Sequence, residues 1–178
     1  MRSEALKKVI VDANVIIKLH ELGKFESLLK VCEIYVTETI KDEARFYLQD
    51  LGNGVPRKVM IDLDGYIRKG RLKVLSDPPM DKIAEFSARL EKKLPDQGIQ
   101  LGETSSLIYL MESGSNYCFC TGDRAVMFVA GYMGFGDRLV SLGALLGVIT
   151  GLEYSYTEDC LKKEIGKGSI RKIQEGAG

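Results

Sequence analysis

The sequence predicts an α/β protein, a three-layer α/β/α sandwich around a mostly parallel sheet of four to five strands. Three observations lead there. Short apolar runs rich in β-branched residues recur along the chain, beginning with Val9-Ile10-Val11, and suit strands buried on both faces. Segments with apolar residues at helical spacing stand between those runs. Strands alternating with helices in this way give βαβ units, parallel pairing and right-handed crossovers.

Taken in order, the first strand closes on Asp12, and Asn14–Leu22 carries Val15, Ile16, Leu19 and Leu22 at helical spacing, with Asn14 as the expected N-cap. Gly23 ends that helix, Phe25–Lys30 forms a second, and Glu33–Thr37 a second strand. Thr39 opens a Thr-x-x-Asp capping pattern, so a helix is expected over about Ile40–Gln49. Gly52–Arg57 reads as a loop, and Val59–Ile67 as a helix or loop leading to a third strand at Leu72–Leu75. Ser76-Asp77-Pro78-Pro79 starts a helix that runs to Leu94. Leu101–Ser113 is helical, Tyr117–Cys120 is the fourth strand, and Arg124–Tyr132 is the next helix. Leu139–Ser141 is a short fifth strand before an apolar helix ending near Thr150. Residues 1–152 are expected to form the sandwich, and 153–178 a helical extension with a flexible, charged, Gly-rich tail.

Composition narrows the function. The chain has 178 residues, a one-domain length, and 45% are hydrophobic, enough for a real core. Its 25 acids balance 25 bases, which argues against a protein that coats nucleic acid through net positive charge. Cys32, Cys118, Cys120 and Cys160 lack the paired spacing of a zinc site or disulfide framework. They read as reduced thiols in a cytoplasmic protein. Met1–Lys8 is polar and lacks a signal-like apolar core, and no stretch reaches the roughly 18 apolar residues of a membrane span.

Four acids carry the chemistry. Asp12 and Asp123 each follow a strand, and ligands of open α/β sheets bind beyond the carboxyl ends of the strands. Glu43 is expected in the first turn or so of the helix after strand two, and Glu103 heads the Leu101-Gly102-Glu103-Thr104 helix. If the first and fourth strands are neighbours, all four converge. Converging carboxylates resist ionising beside one another, and a divalent cation removes that cost. Oxygen donors without His or Cys select a hard ion, Mg²⁺ or Mn²⁺. Glu38 and Asp42 stand close enough in sequence to take the place of Glu43.

These stretches, Val-Ile-Val-Asp-Ala-Asn-Val-Ile-Ile, Ile-Lys-Asp-Glu-Ala, Leu-Gly-Glu-Thr-Ser-Ser-Leu and Cys-Thr-Gly-Asp-Arg-Ala, come in the order of the PIN-domain nucleases, which the chain resembles from about Val9 to Gly147. The resemblance implies that Asp12, Glu43, Glu103 and Asp123 bind one or two Mg²⁺ or Mn²⁺ ions, with Asn14 and Thr121 as supporting polar residues. It implies metal-dependent hydrolysis of phosphodiesters, most often in RNA, leaving 5′-phosphate and 3′-hydroxyl ends. Its implied partners are an RNA substrate and, in the toxin branch, an antitoxin protein. Many relatives pair as homodimers. Lys41, Arg45 and Arg124 are candidates to touch substrate phosphates. The lone histidine, His20, is expected on the surface, and no Ser or Cys has an obvious base partner, so general-base duty falls to metal-activated water.

Three other readings fit parts of the chain. Asp62-Leu63-Asp64-Gly65 resembles the nucleophile loop of haloacid-dehalogenase-type phosphatases but lies far from the first strand and is followed by Tyr66. A receiver-type domain wants an acid pair at strand one, and Asp12 has no acidic neighbour. A non-catalytic PIN-like module that binds RNA or a protein partner keeps the fold without the chemistry.

Overall fold

The structure, a computed structural model, describes residues 8–52, 54–152 and 155–176. Its centre is a five-stranded sheet built from β1 (Lys8–Val11), β2 (Glu33–Thr37), β5 (Leu72–Leu75), β6 (Cys118–Cys120) and β7 (Leu139–Val140). The strand order is β5-β2-β1-β6-β7, and every pairing in it is parallel. Helices cover both faces, giving the three-layer α/β/α sandwich of the PIN-like description.

Side-chain alternation explains why the strands are apolar throughout. Val9 and Val11 of β1 enter one core and Ile10 the other. Ile34 and Val36 of β2 share the first core, while Tyr35 joins the second. The first core is closed by α1 (Ala13–Glu21), α2 (Phe25–Val31) and α8 (Leu142–Thr150), with Ile16, Leu28 and Leu145 fully buried. The second is closed by α5 (Met80–Lys93), α6 (Leu101–Glu112), α7 (Arg124–Met133) and α9 (Ser155–Gly176), through Phe86, Leu107, Val126 and Leu161. Arg138, just before β7, fastens this layer: its guanidinium donates to the carbonyls of Tyr117 and Leu110 and to Ser113 Oγ. Cys32 and Cys120 are buried, and Cys118 and Cys160 are half-buried.

Three local expectations are corrected. The N-cap of α1 is Asp12, not Asn14: Asp12 Oδ1 accepts from Val15 N at 2.7 Å. The cap of α3 (Glu38–Glu43) is Thr37, whose Oγ1 accepts from Ile40 N, while Thr39 bonds to Asp77 Oδ2 through both N and Oγ1. The helix expected through Gln49 stops at Glu43, because Phe46-Tyr47-Leu48-Gln49 is β3, paired antiparallel with β4 (Arg57–Met60). Consecutive aromatic and apolar residues favour a pleated ribbon there over a helical turn. Short α4 (Leu63–Arg68) follows, capped by Asp62.

The Gly-rich end, expected to fray, is helical to Gly176. Its glycines let two helix backbones meet. A Cβ on Gly168 would stand 2.0 Å from Phe128 O, and one on Gly131 would stand 2.2 Å from Ile165 O. Helix α9 therefore seats on α7 by backbone proximity.

Candidate functional site

The strand order settles where the acids go. β1 and β6 are neighbours in register, Val11 beside Cys120, so the residues leaving them emerge side by side. Asp12 N donates to Cys120 O at 3.1 Å. Asp12 Oδ2 accepts from Thr121 Oγ1 at 2.5 Å and from Gly122 N at 3.2 Å. Thr121 Oγ1 in turn accepts from Asp123 N at 3.0 Å, so one buried hydroxyl ties the two aspartates together.

Three of the four acids cap helices that start at this edge. Asp12 caps α1, and Asp123 Oδ1 caps α7 by accepting from Ala125 N and Val126 N. Glu103 Oε2 reaches back to Gln100 N at 3.0 Å across the first turn of α6. Each spends one oxygen on a helix N-terminus, whose partial positive charge offsets part of the cost of placing acids together. Glu43 differs from expectation: it is the last residue of α3, not in its first turn. It still reaches the site, because a Cβ on Gly102 would lie 2.8 Å from Ile40 Cγ1 and 3.5 Å from Glu43 Oε2. Only glycine lets the head of α6 approach α3 this closely.

Asp12, Asn14, Glu43, Gln100 and Glu103 line a pocket of about 300 Å³, with Ile17 and Ile40 as its apolar wall. Asp123 stands beside it, near enough for its charge to act on Asp12 and Glu103. Burial, then the neighbouring charges of Asp123, Asp12 and Glu43, push the Glu103 carboxyl up to about 7, against the pull of the Gln100 amide. Burial likewise raises Asp12, with Asp123 adding to it and the bonds from Thr121, Val15 and Gly122 opposing it. Glu43 is raised by burial and by the charges of Asp12 and Asp77. Among the described residues no Lys or Arg forms a salt bridge to any of these four acids.

The donor set suits a hard divalent cation, being all carboxylate and negatively charged without a cationic partner. The spacing is another matter: among the described residues no three His, Cys, Asp or Glu side chains stand close enough to hold an ion as they are. Of the two acids close enough in sequence to replace Glu43, Glu38 accepts from Asp77 N and Asp42 faces Arg45. The three basic candidates lie outside the pocket. Lys41 pairs with Asp64 at 2.9 Å, Arg45 is held by Asp42, and Arg124 is exposed at the head of α7. Asp62 and Asp64 serve as a helix cap and an ion-pair partner.

Two participants escaped the sequence reading. Gln100 was legible in principle, since Gln-x-x-Glu is a capping-box spacing. Asp77, which adds to the charge on Glu43, had no local signal because it arrives from the far end of β5. His20 is also corrected. It is half-buried, stacked on Phe25 with ring centroids 4.4 Å apart.

No known family's sequence profile matches the chain, and no curated protein matches it. Among solved structures it is similar to the crystal structure of PAE2754 from Pyrobaculum aerophilum, at 17% identity and a TM-score of 0.47, over 85% of this chain and 95% of that one. No helix among the described residues is long and apolar enough to cross a membrane.

Proposed function

We propose that this chain is a PIN-like ribonuclease whose acidic pocket takes Mg²⁺ or Mn²⁺ and hydrolyses phosphodiesters of single-stranded RNA. One observation carries the reading: acids from separate elements converge on one pocket, where burial and neighbouring carboxylates raise the proton affinity of Asp12, Glu43 and Glu103, and no basic side chain among the described residues pairs with them. A phosphate cannot approach such a pocket until positive charge enters it. Asp12, Glu43, Glu103 and Asp123 would hold the cation through their carboxylate oxygens. A bound cation would supply Lewis acidity toward the phosphoryl group and toward water. Thr121 keeps Asp12 and Asp123 in one orientation, and Asn14 offers an amide at the pocket rim. Lys41, Arg45 and Arg124 would guide phosphates from outside. We assign the activity to residues 1–152, with 153–178 as a supporting extension. An antitoxin-type inhibitor, pairing with a second copy and a cytoplasmic location belong to the same reading.

The second reading is a non-catalytic PIN-like module that binds RNA or a protein partner. It is favoured by the missing three-donor cluster, and on side-chain positions alone it is the better supported. The enzyme reading requires the cation to draw the carboxylates inward. Incubating single-stranded RNA with wild type and Asp12→Asn, in Mn²⁺ or in chelator, separates the two. Asparagine keeps the helix cap, so the fold should survive. Cleavage in Mn²⁺ that falls at least about 100-fold in the variant supports the enzyme. Binding without cleavage, equal in both proteins, supports the module.

A further inference from the structure

A second cavity lies at the other end of α1, about 12 Å from Asp12 at 1.5 Å per helical residue. It measures about 360 Å³ and is lined by His20, Tyr47, Tyr66, Glu26, Asp62 and Lys69. The antiparallel ribbon that the sequence reading missed supplies Tyr47, and the Asp-x-Asp-Gly stretch supplies Asp62. The rings are arranged around His20: Phe25 stacks on it, Tyr47 lies near-parallel at 6.3 Å and Tyr66 is tilted at 6.2 Å. Tyr66 is itself braced edge-on by Phe25, and its hydroxyl donates to Glu26 Oε1 at 3.2 Å. His20 Nε2 is buried and has no hydrogen-bond partner among the described residues. Around its mouth, Arg57 and Lys58 on the ribbon and Arg68 and Lys69 at the end of α4 are exposed, a basic rim that contrasts with the acidic pocket.

We infer that this aromatic cavity is a nucleobase subsite, taking a base with an exocyclic amine such as adenine or cytosine from a single strand that runs along α1. Half-buried rings offer a stacking face for a base, and stacking on aromatic side chains is how single-stranded nucleic acid is usually gripped. The amine is selected by the Glu26 and Asp62 carboxylates, which accept from N–H donors: an exocyclic amine offers two, whereas uracil's pairing edge offers one, flanked by two carbonyl oxygens that a carboxylate repels. The basic rim holds the flanking phosphates. The inference rests on the RNA reading above for the source of the base, and not on hydrolysis.

His20 is the only histidine, so its imidazole is a single reporter in a nitrogen-correlated NMR spectrum. The test titrates the full chain, in chelator, with fluorescein-labelled hexaadenylate and hexauridylate, reading anisotropy and the imidazole signals together. Hexaadenylate should bind about tenfold tighter than hexauridylate and move the imidazole resonances to saturation. Tyr66→Leu should weaken hexaadenylate binding by about tenfold. The wild-type spectrum decides the matter if that variant fails to fold. Binding that leaves the imidazole unmoved overturns the subsite, as does the absence of binding by either hexamer. Equal affinity for the two hexamers overturns the amine selection. A shifted imidazole without Mn²⁺-dependent cleavage keeps the subsite and removes the enzyme, and cleavage with an unmoved imidazole does the reverse.

Discussion

At the scale of single residues, Glu103 carries the sharpest consequence. Its carboxyl titrates near 4.5 in the unfolded chain and is pushed up to about 7 by burial and its acidic neighbours. Between those values the folded protein keeps a proton that the unfolded chain has lost. Folding stability from this group therefore falls as pH rises from about 4.5 to about 7 and is unaffected below that window. Glu103→Gln should raise the melting temperature at pH 8 and leave it nearly unchanged at pH 4, because glutamine keeps an acceptor for the Gln100 amide. Equal effects at the two pH values would remove the electrostatic explanation. Thr121 has the opposite weight. Thr121→Val strips Asp12 of a buried donor and leaves Asp123 N without its acceptor, which should cost about 2 kcal/mol in a denaturant melt. Asp12, Glu103 and Asp123 were legible because each sits directly after a strand or at a helix head, where sequence signals are strongest. Glu43 was legible as a residue but not in its place, since a six-residue helix carries too little periodicity to fix its ends.

At the scale of elements, the five strands of the central sheet and most of the helices were readable from apolar runs and caps. The β3–β4 ribbon was not. Its partner strands are separated by a loop, and Thr-x-x-Asp just upstream imitates a helix start. Tertiary pairing outweighed that local signal, and Thr39 was claimed by Asp77, 38 residues away. Helix α9 hides a different kind of information. Its glycines look like disorder in one dimension, yet Gly168 is where α9 touches α7. Gly168→Ala should therefore destabilise by about 1–3 kcal/mol, as overpacking against backbone does. Gly166, with open space around its Cβ position, is the control: Gly166→Ala should stabilise by up to about 1 kcal/mol through helix propensity. Urea midpoints of the two variants moving in the same direction would contradict this account of how α9 is seated.

At the scale of the whole molecule, parallel pairing of β1 with β6 brings two aspartates 111 residues apart in sequence to one sheet edge. The α3–α6 approach adds the two glutamates. Composition had no means of announcing this, since the net charge is zero and the acidity is local. The assembled pocket is a concentration of negative charge with which no Lys or Arg among the described residues forms an ion pair. The protein should gain stability from any divalent cation that binds there, by RT ln(1 + [M]/Kd). The most direct test is the melting temperature at pH 7.5 as Mn²⁺ is raised, for wild type and Asp12→Asn. A melting temperature that climbs with Mn²⁺ in the wild type, and far less in the variant, is the predicted result. A wild-type curve that stays flat, or a variant that climbs as steeply, would contradict a cation site built from these four acids.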